Sequence, residues 1–197
     1  MNPDKISKDI ENDVLIQKEN WERLATHIAT VVGSLKPSTV EQCYRNLLQS
    51  NLIRGKEILA SSVLKYQTDF NRGMASAALV ALVNSEFPEF GDLVIREAIA
   101  RFISGYKSND KRGCYSMMSL ISYSFCYQVV HEILILQLIH LLMERPTNDS
   151  VDLVISLLRQ CGKSLVEVSK VAHTVTYEKL RDLLQEGRLS KRTAHSV

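Results

Sequence analysis

From His131 to Leu165 the chain reads HEILILQLIHLLMERPTNDSVDLVISLLRQCGKSL. Two apolar segments with helical spacing flank a polar turn at Pro146. A helix hairpin of this kind cannot bury its apolar sides alone, so it stacks on further hairpins, and stacks of hairpins present long surfaces. The most apolar run, Val129 to Met143, has only 15 residues and is interrupted by His131, Glu132, Gln137 and His140. It is too short and too polar to cross a bilayer.

The same grammar extends over the rest of the chain. Val14, Trp21, Leu24, Ile28 and Val31 form one helical stripe that ends near Gly33, after a flexible lead-in over residues 1–12. In that stripe Trp21 is expected in the core. Pro37 breaks the chain, and Ser38 with Glu41 predicts a capping box before Val40, Tyr44, Leu47 and Leu48. A third helix is expected from near Gly55 and a fourth from Phe70 to Glu86, where ASAALVALV is apolar on all sides and therefore buried. Pro88 precedes a fifth, Asp92 to Gly105; a sixth runs from Asn109 or Asp110 to Tyr127, and a seventh from Val129 to Glu144. Asp149 is expected to cap an eighth that ends at Gly162, and Ser164 with Glu167 to open a ninth that runs through Leu184 to Gly187. A tenth begins near Ser190 and breaks off at Val197.

No segment has a convincing strand pattern, so the expected class is all-α. Hairpins starting near Val14, Arg54, Glu89, Val129 and Ser164 recur every 35–40 residues, the period of HEAT repeats. The expected architecture is a right-handed HEAT-repeat solenoid of about five antiparallel helix hairpins, the last truncated, occupying residues 13–197.

Chemistry is harder to find. With 24 basic and 22 acidic residues the net charge is +2, too little for bulk nucleic-acid binding. Cys43, Cys114, Cys126 and Cys161 lie far apart, as expected of reduced intracellular thiols. The polar start MNPDKISKDIENDV has no secretory core. HEILI at His131 lacks the second histidine of a zinc-protease motif, and His27, His131, His140, His173 and His195 have no ligand spacing. The stretch from Gly33 to Thr39 is not a phosphate loop, and no GxSxG occurs. The expectation is a non-enzyme with no catalytic residue, metal or cofactor, no small-molecule substrate and no membrane association.

Stacked hairpins place every within-hairpin turn on one edge. That edge collects Gly33, Ser34 and Lys36 from the first turn, Asn71 and Arg72 from the second, and Tyr106, Lys107, Asn109, Asp110 and Lys111 from the third. These polar, charged and aromatic groups suit contact with a protein partner. A basic set of Arg101, Lys107, Lys111 and Arg112 leaves a direct RNA-binding module as an alternative.

Several segments carry a resemblance: QKENWERL from Gln17, NLIRGKEIL from Asn51, AALVALVNSEFPEFGDLVIREAI from Ala77, GYKSNDK from Gly105, and His131 to Gly162 with ERPTNDSV. They resemble the N-terminal HEAT domain of the nucampholin (Cwc twenty-two) family of splicing factors. That domain is of the class named after the middle domain of translation initiation factor four G. The resemblance covers roughly residues 14–190. It implies a nuclear, non-catalytic spliceosomal adaptor that binds the DEAD-box ATPase of the exon junction complex, holds its lobes apart and delivers it to the spliceosome. Other spliceosomal proteins, and RNA within the assembled spliceosome, are further implied contacts. A translation or mRNA-decay scaffold of the same domain class is the other alternative. At the first turn Gly33 and Ser34 stand where some relatives carry a longer polar and a basic residue.

Overall fold

In a computed structural model, which describes residues 3–187 and 189–195, the chain is all-α. The described residues form ten α-helices and two short 3-10 turns, with no strand. The helices are α1 (Pro3–Gly33), α2 (Val40–Leu48), α3 (Leu52–Tyr66), α4 (Gly73–Glu86), α5 (Glu89–Ser108), α6 (Lys111–Cys126), α7 (Glu132–Glu144), α8 (Asn148–Val168), α9 (Lys170–Gln185) and α10 (Lys191–Ala194). The 3-10 turns, Pro37–Thr39 and Phe70–Arg72, lead into α2 and α4.

Odd and even helices form two layers. α1 packs on α3 and α3 on α5; α2 packs on α4, α4 on α6 and α6 on α8. The expected solenoid is therefore present, with one continuous core that includes the fully buried Leu59, Leu79, Val94, Leu120, Val154 and Leu157. α4 is held among α2, α5 and α6, the environment that its apolar sequence requires.

The turn motifs prove to be caps and close approaches. Asn51 caps α3 by accepting from the Arg54 amide, and Gly55 lets α3 meet α1, where a Cβ would come within 2.9 Å of Ile28. The Asn84 side chain accepts from the Gly91 amide at 2.8 Å, closing the NSEFPEFG turn. Asn109 takes the left-handed conformation (φ 58°) that ends α5, and Asp110 caps α6 through the Gly113 amide. Thr147 and Ser150 form a reciprocal box at the start of α8. The tenth helix expected from near Ser190 starts at Lys191, with Ser190 capping it on the Thr193 amide.

Six local expectations are corrected. Backbone from Pro3 onward belongs to α1, so the lead-in assigned to residues 1–12 is helical from Pro3, while residues 1 and 2 lie outside the described ones. The apolar stripe expected from Val14 is not packed at its start: Val14 is 59% and Trp21 47% exposed, and among residues 13–33 core contact begins at Leu24 and Ile28. The Ser38–Glu41 box gives way to a turn in which the Thr39 hydroxyl bonds the Lys36 backbone. α8 is capped by Thr147, not Asp149, and does not stop at Gly162 but runs to Val168. The Ser164–Glu167 box is consequently absent, and α9 starts at Lys170. Burying Cys161 and Leu165 in the core outweighs the roughly 1 kcal/mol that a mid-helix glycine costs.

Candidate partner-binding edge

The within-hairpin turns are not merely neighbours; side chains tie each to the next. The Arg72 guanidinium, in the second turn, donates to the carbonyls of Val32 (2.9 Å) and Gly33 (3.5 Å) at the end of α1. A cation on the last carbonyls of a helix also meets the negative end of its dipole. From the third turn Arg112 Nε donates to the Thr68 carbonyl of the second at 3.1 Å. Lys111 Nζ reaches Asp149 of the fourth turn at 2.7 Å, and Asn148 accepts from the Ser190 amide, 2.7 Å away, in the turn before α10. With helices 8–10 Å apart, the row of five turns spans roughly 35 Å.

Beneath the row lies a buried polar cluster that sequence reasoning missed. Gln67, 3% exposed, donates to the carbonyls of Asp69 and Ser116, both at 3.1 Å, and accepts from the Ser76 hydroxyl at 2.8 Å. The Ser116 hydroxyl donates to the Gln67 carbonyl at 2.6 Å, and that of Ser119 to the Phe70 carbonyl at 2.8 Å. The second turn is thereby pinned to α6. No local pattern announces these contacts, since Gln67 and Ser116 are 49 positions apart.

The expected site residues fall into two groups. Arg72 is half-buried and occupied with α1, and Gly33 is half-buried beside the Tyr66 ring. Lys111 faces solvent but is occupied by Asp149, an exposed pair worth about 0–1 kcal/mol. Ser34 bonds the Val31 carbonyl, and Asp110 is spent on its cap. Lys36, Asn71, Lys107 and Asn109 are exposed along the same edge. Tyr106 is half-buried, its ring stacked 6.3 Å from Phe102, and borders a cleft of about 290 Å³ between the third and fourth turns.

Cys43, Cys114 and Cys161 are buried and Cys126 half-buried; all four are free thiols. Burial, reinforced by Asp110, pushes the Cys114 thiol up to about 11, and burial with the neighbouring Cys126 pushes Cys161 up to about 12. Among the described residues no group of three or more His, Cys, Asp or Glu could hold a metal ion. No described helix is long and apolar enough to cross a membrane.

Residues 31–196 match the MIF4G domain. The chain belongs to the MIF4G-domain family. It is 35% identical over 190 residues to the human pre-mRNA-splicing factor CWC22 homolog, an alignment that covers 95% of the chain and 21% of that protein. It is 33% identical over 190 residues to pre-mRNA-splicing factor CWC22 of Saccharomyces cerevisiae (95% and 32%). To pre-mRNA-splicing factor cwf22 of Schizosaccharomyces pombe it is 35% identical over 178 residues (90% and 20%). The chain thus spans a third or less of the length of these relatives. The match to the MIF4G domain takes in all five tied turns.

Proposed function

We infer that this MIF4G domain is a non-catalytic adaptor in pre-mRNA splicing. It binds a DEAD-box ATPase of the initiation-factor-four-A type through its row of turns, keeps the two ATPase lobes apart, and brings the enzyme to the spliceosome. In that role it acts in the nucleus and supports spliceosome activation and exon junction complex assembly. The relatives' names carry the splicing assignment. The observation that carries the adaptor reading is the tied row itself. A partner that must be held in one geometry needs a surface that does not flex, and each turn here is bonded to the next. Holding the lobes apart then requires only that the row bind the open ATPase better than the closed one.

Of the RNA-module set, Arg101 is paired with Glu97, Lys111 with Asp149, and Arg112 bonds Thr68. Among the described residues Lys107 is the one member of this set without such a contact, which favours the protein-binding reading of this edge.

Pull-down of the exon-junction-type ATPase tests the edge. Lys107→Glu with Lys111→Glu, and separately Lys36→Glu, are expected to reduce capture several-fold. Asp149→Ala, which only releases Lys111, is expected to leave it nearly unchanged. Undiminished capture by both charge-reversed proteins would remove the assignment.

A further inference from the structure

α1 outruns the helix it packs on. It has 31 residues against 15 in α3, so at 1.5 Å per residue it is about 24 Å longer. The two helices are level at one end, where Gly33 lies beside the Tyr66 ring, and Gly55, in the first turn of α3, already meets Leu24 and Ile28. The excess therefore extends past the start of α3, away from the row of turns. Every side chain from residue 13 to residue 23 is exposed. Among them are the consecutive Val14, Leu15 and Ile16 and, in phase with Val14, Trp21. A projecting helical arm with apolar side chains is marginal in water and gains most by lying against another apolar surface.

Such a surface lies at the far end of the chain. α7 and α9 both pack on α8 and leave between them a groove of about 310 Å³. Leu136, Ile139 and Met143 line one wall and Ala172, Val175 and Thr176 the other, each set on one face of its helix. Val175 is 56% exposed, and Val171, one turn before it, 77%. The space between two such helices is a seat for a third. We propose that the α1 arm of one copy of this chain docks in the α7–α9 groove of a second copy.

Charge supports that pairing. Residues 13–23 carry Asp13, Glu19 and Glu22 against Lys18 and Arg23, so the arm is net negative. The groove is lined by Lys179 and His140 and by no carboxylate. At 3.6 residues per turn, Asp13 and Glu22 flank the Val14–Trp21 stripe on its two sides, so a carboxylate borders whichever rim Lys179 occupies.

The contact has to be made between copies. α3 and α5 stand between α1 and the fourth hairpin, and α1 is one continuous helix that does not fold back on its own chain. Arm and groove are different surfaces, so two copies close by exchanging arms about a two-fold axis, each giving one and taking one. The arm leaves from the edge opposite the row of turns, and the exchange leaves that row free for the ATPase.

Sedimentation velocity of the chain at about 5 and about 200 μM tests the pairing, because a single-helix contact is a small interface that fills only at micromolar concentrations or above. The unsubstituted chain is expected to move from monomer towards dimer between the two. Val14→Glu with Trp21→Glu on the arm, and separately Val175→Glu in the groove, should each weaken dimerisation about ten-fold or more. All three positions are exposed, so melting temperatures should stay nearly unchanged. Leu82→Gln, at an exposed apolar position on α4, should dimerise like the unsubstituted chain. A chain that stays monomeric at the higher concentration overturns the proposal and leaves the groove to a different protein. A dimer that survives Val175→Glu but not the arm substitutions overturns it too, since arms would then pair with arms. So does a dimer that survives the arm substitutions, or one lost equally in Leu82→Gln.

Discussion

Replacing Gln67 by alanine is expected to lower the unfolding free energy by about 3–5 kcal/mol, the largest effect of any single polar substitution in this fold. The side chain makes three hydrogen bonds in a place that water does not reach. Without it the Ser76 hydroxyl is left unpaired, at about 1–3 kcal/mol, the Ser116 carbonyl keeps only its bond within α6, and a cavity is added. Ser76→Ala removes only one partner and should cost about 1 kcal/mol. Because the two side chains bond each other, the double substitution should cost less than the sum of the single ones by at least about 0.5 kcal/mol. Urea unfolding, read as a change in midpoint at constant slope, measures all three. A loss below about 1 kcal/mol for Gln67→Ala would mean that the cluster does not hold the second turn on α6.

Two glycines should respond with opposite sign to the same substitution. At Gly73 a Cβ would lie 2.0 Å from Ser119 Oγ and 2.9 Å from the Ser119 carbonyl carbon, so α4 and α6 would have to separate. Gly73→Ala is expected to cost about 1–3 kcal/mol. At Gly162 the nearest atom is Leu158 Cβ at 3.9 Å, and the residue lies inside α8. Gly162→Ala should therefore stabilise by about 0.5–1 kcal/mol. The second result also tests where α8 ends. If Gly162 closed the helix, as its sequence position invites one to read it, alanine would gain nothing there.

Gly162 illustrates what sequence can and cannot disclose. Order and number of helices are legible because Pro37, Pro88 and Pro146 punctuate apolar stripes of period 3.6, and because Asp110 and Ser190 are caps by local geometry. The boxes at Ser38–Glu41 and Ser164–Glu167 have equally good local grammar and do not form. In the second case the stripe of Leu157, Leu158, Cys161 and Leu165 continues into the core, and packing overrides a local signal of about 1 kcal/mol. Trp21 fails for a related reason. Its phase is right, but the core contact of α1 begins one turn later, at Leu24, and Trp21 is left 47% exposed. On the edge, residue types were readable and pairings were not. Arg72 to Val32 spans 40 positions and Lys111 to Asp149 spans 38, and only the stacking of repeats brings them together.

RNA-stimulated ATP hydrolysis by the exon-junction-type DEAD-box enzyme, titrated with this chain, tests the adaptor role most directly. A row of turns that prefers the open enzyme at least about ten-fold, or 1.4 kcal/mol, lowers the rate about ten-fold at saturation. The rate should fall to that plateau near one chain per enzyme. The chain carrying Lys36→Glu, Lys107→Glu and Lys111→Glu together should leave it high while melting at nearly the same temperature. A rate unchanged or raised by saturating unsubstituted chain would contradict the account.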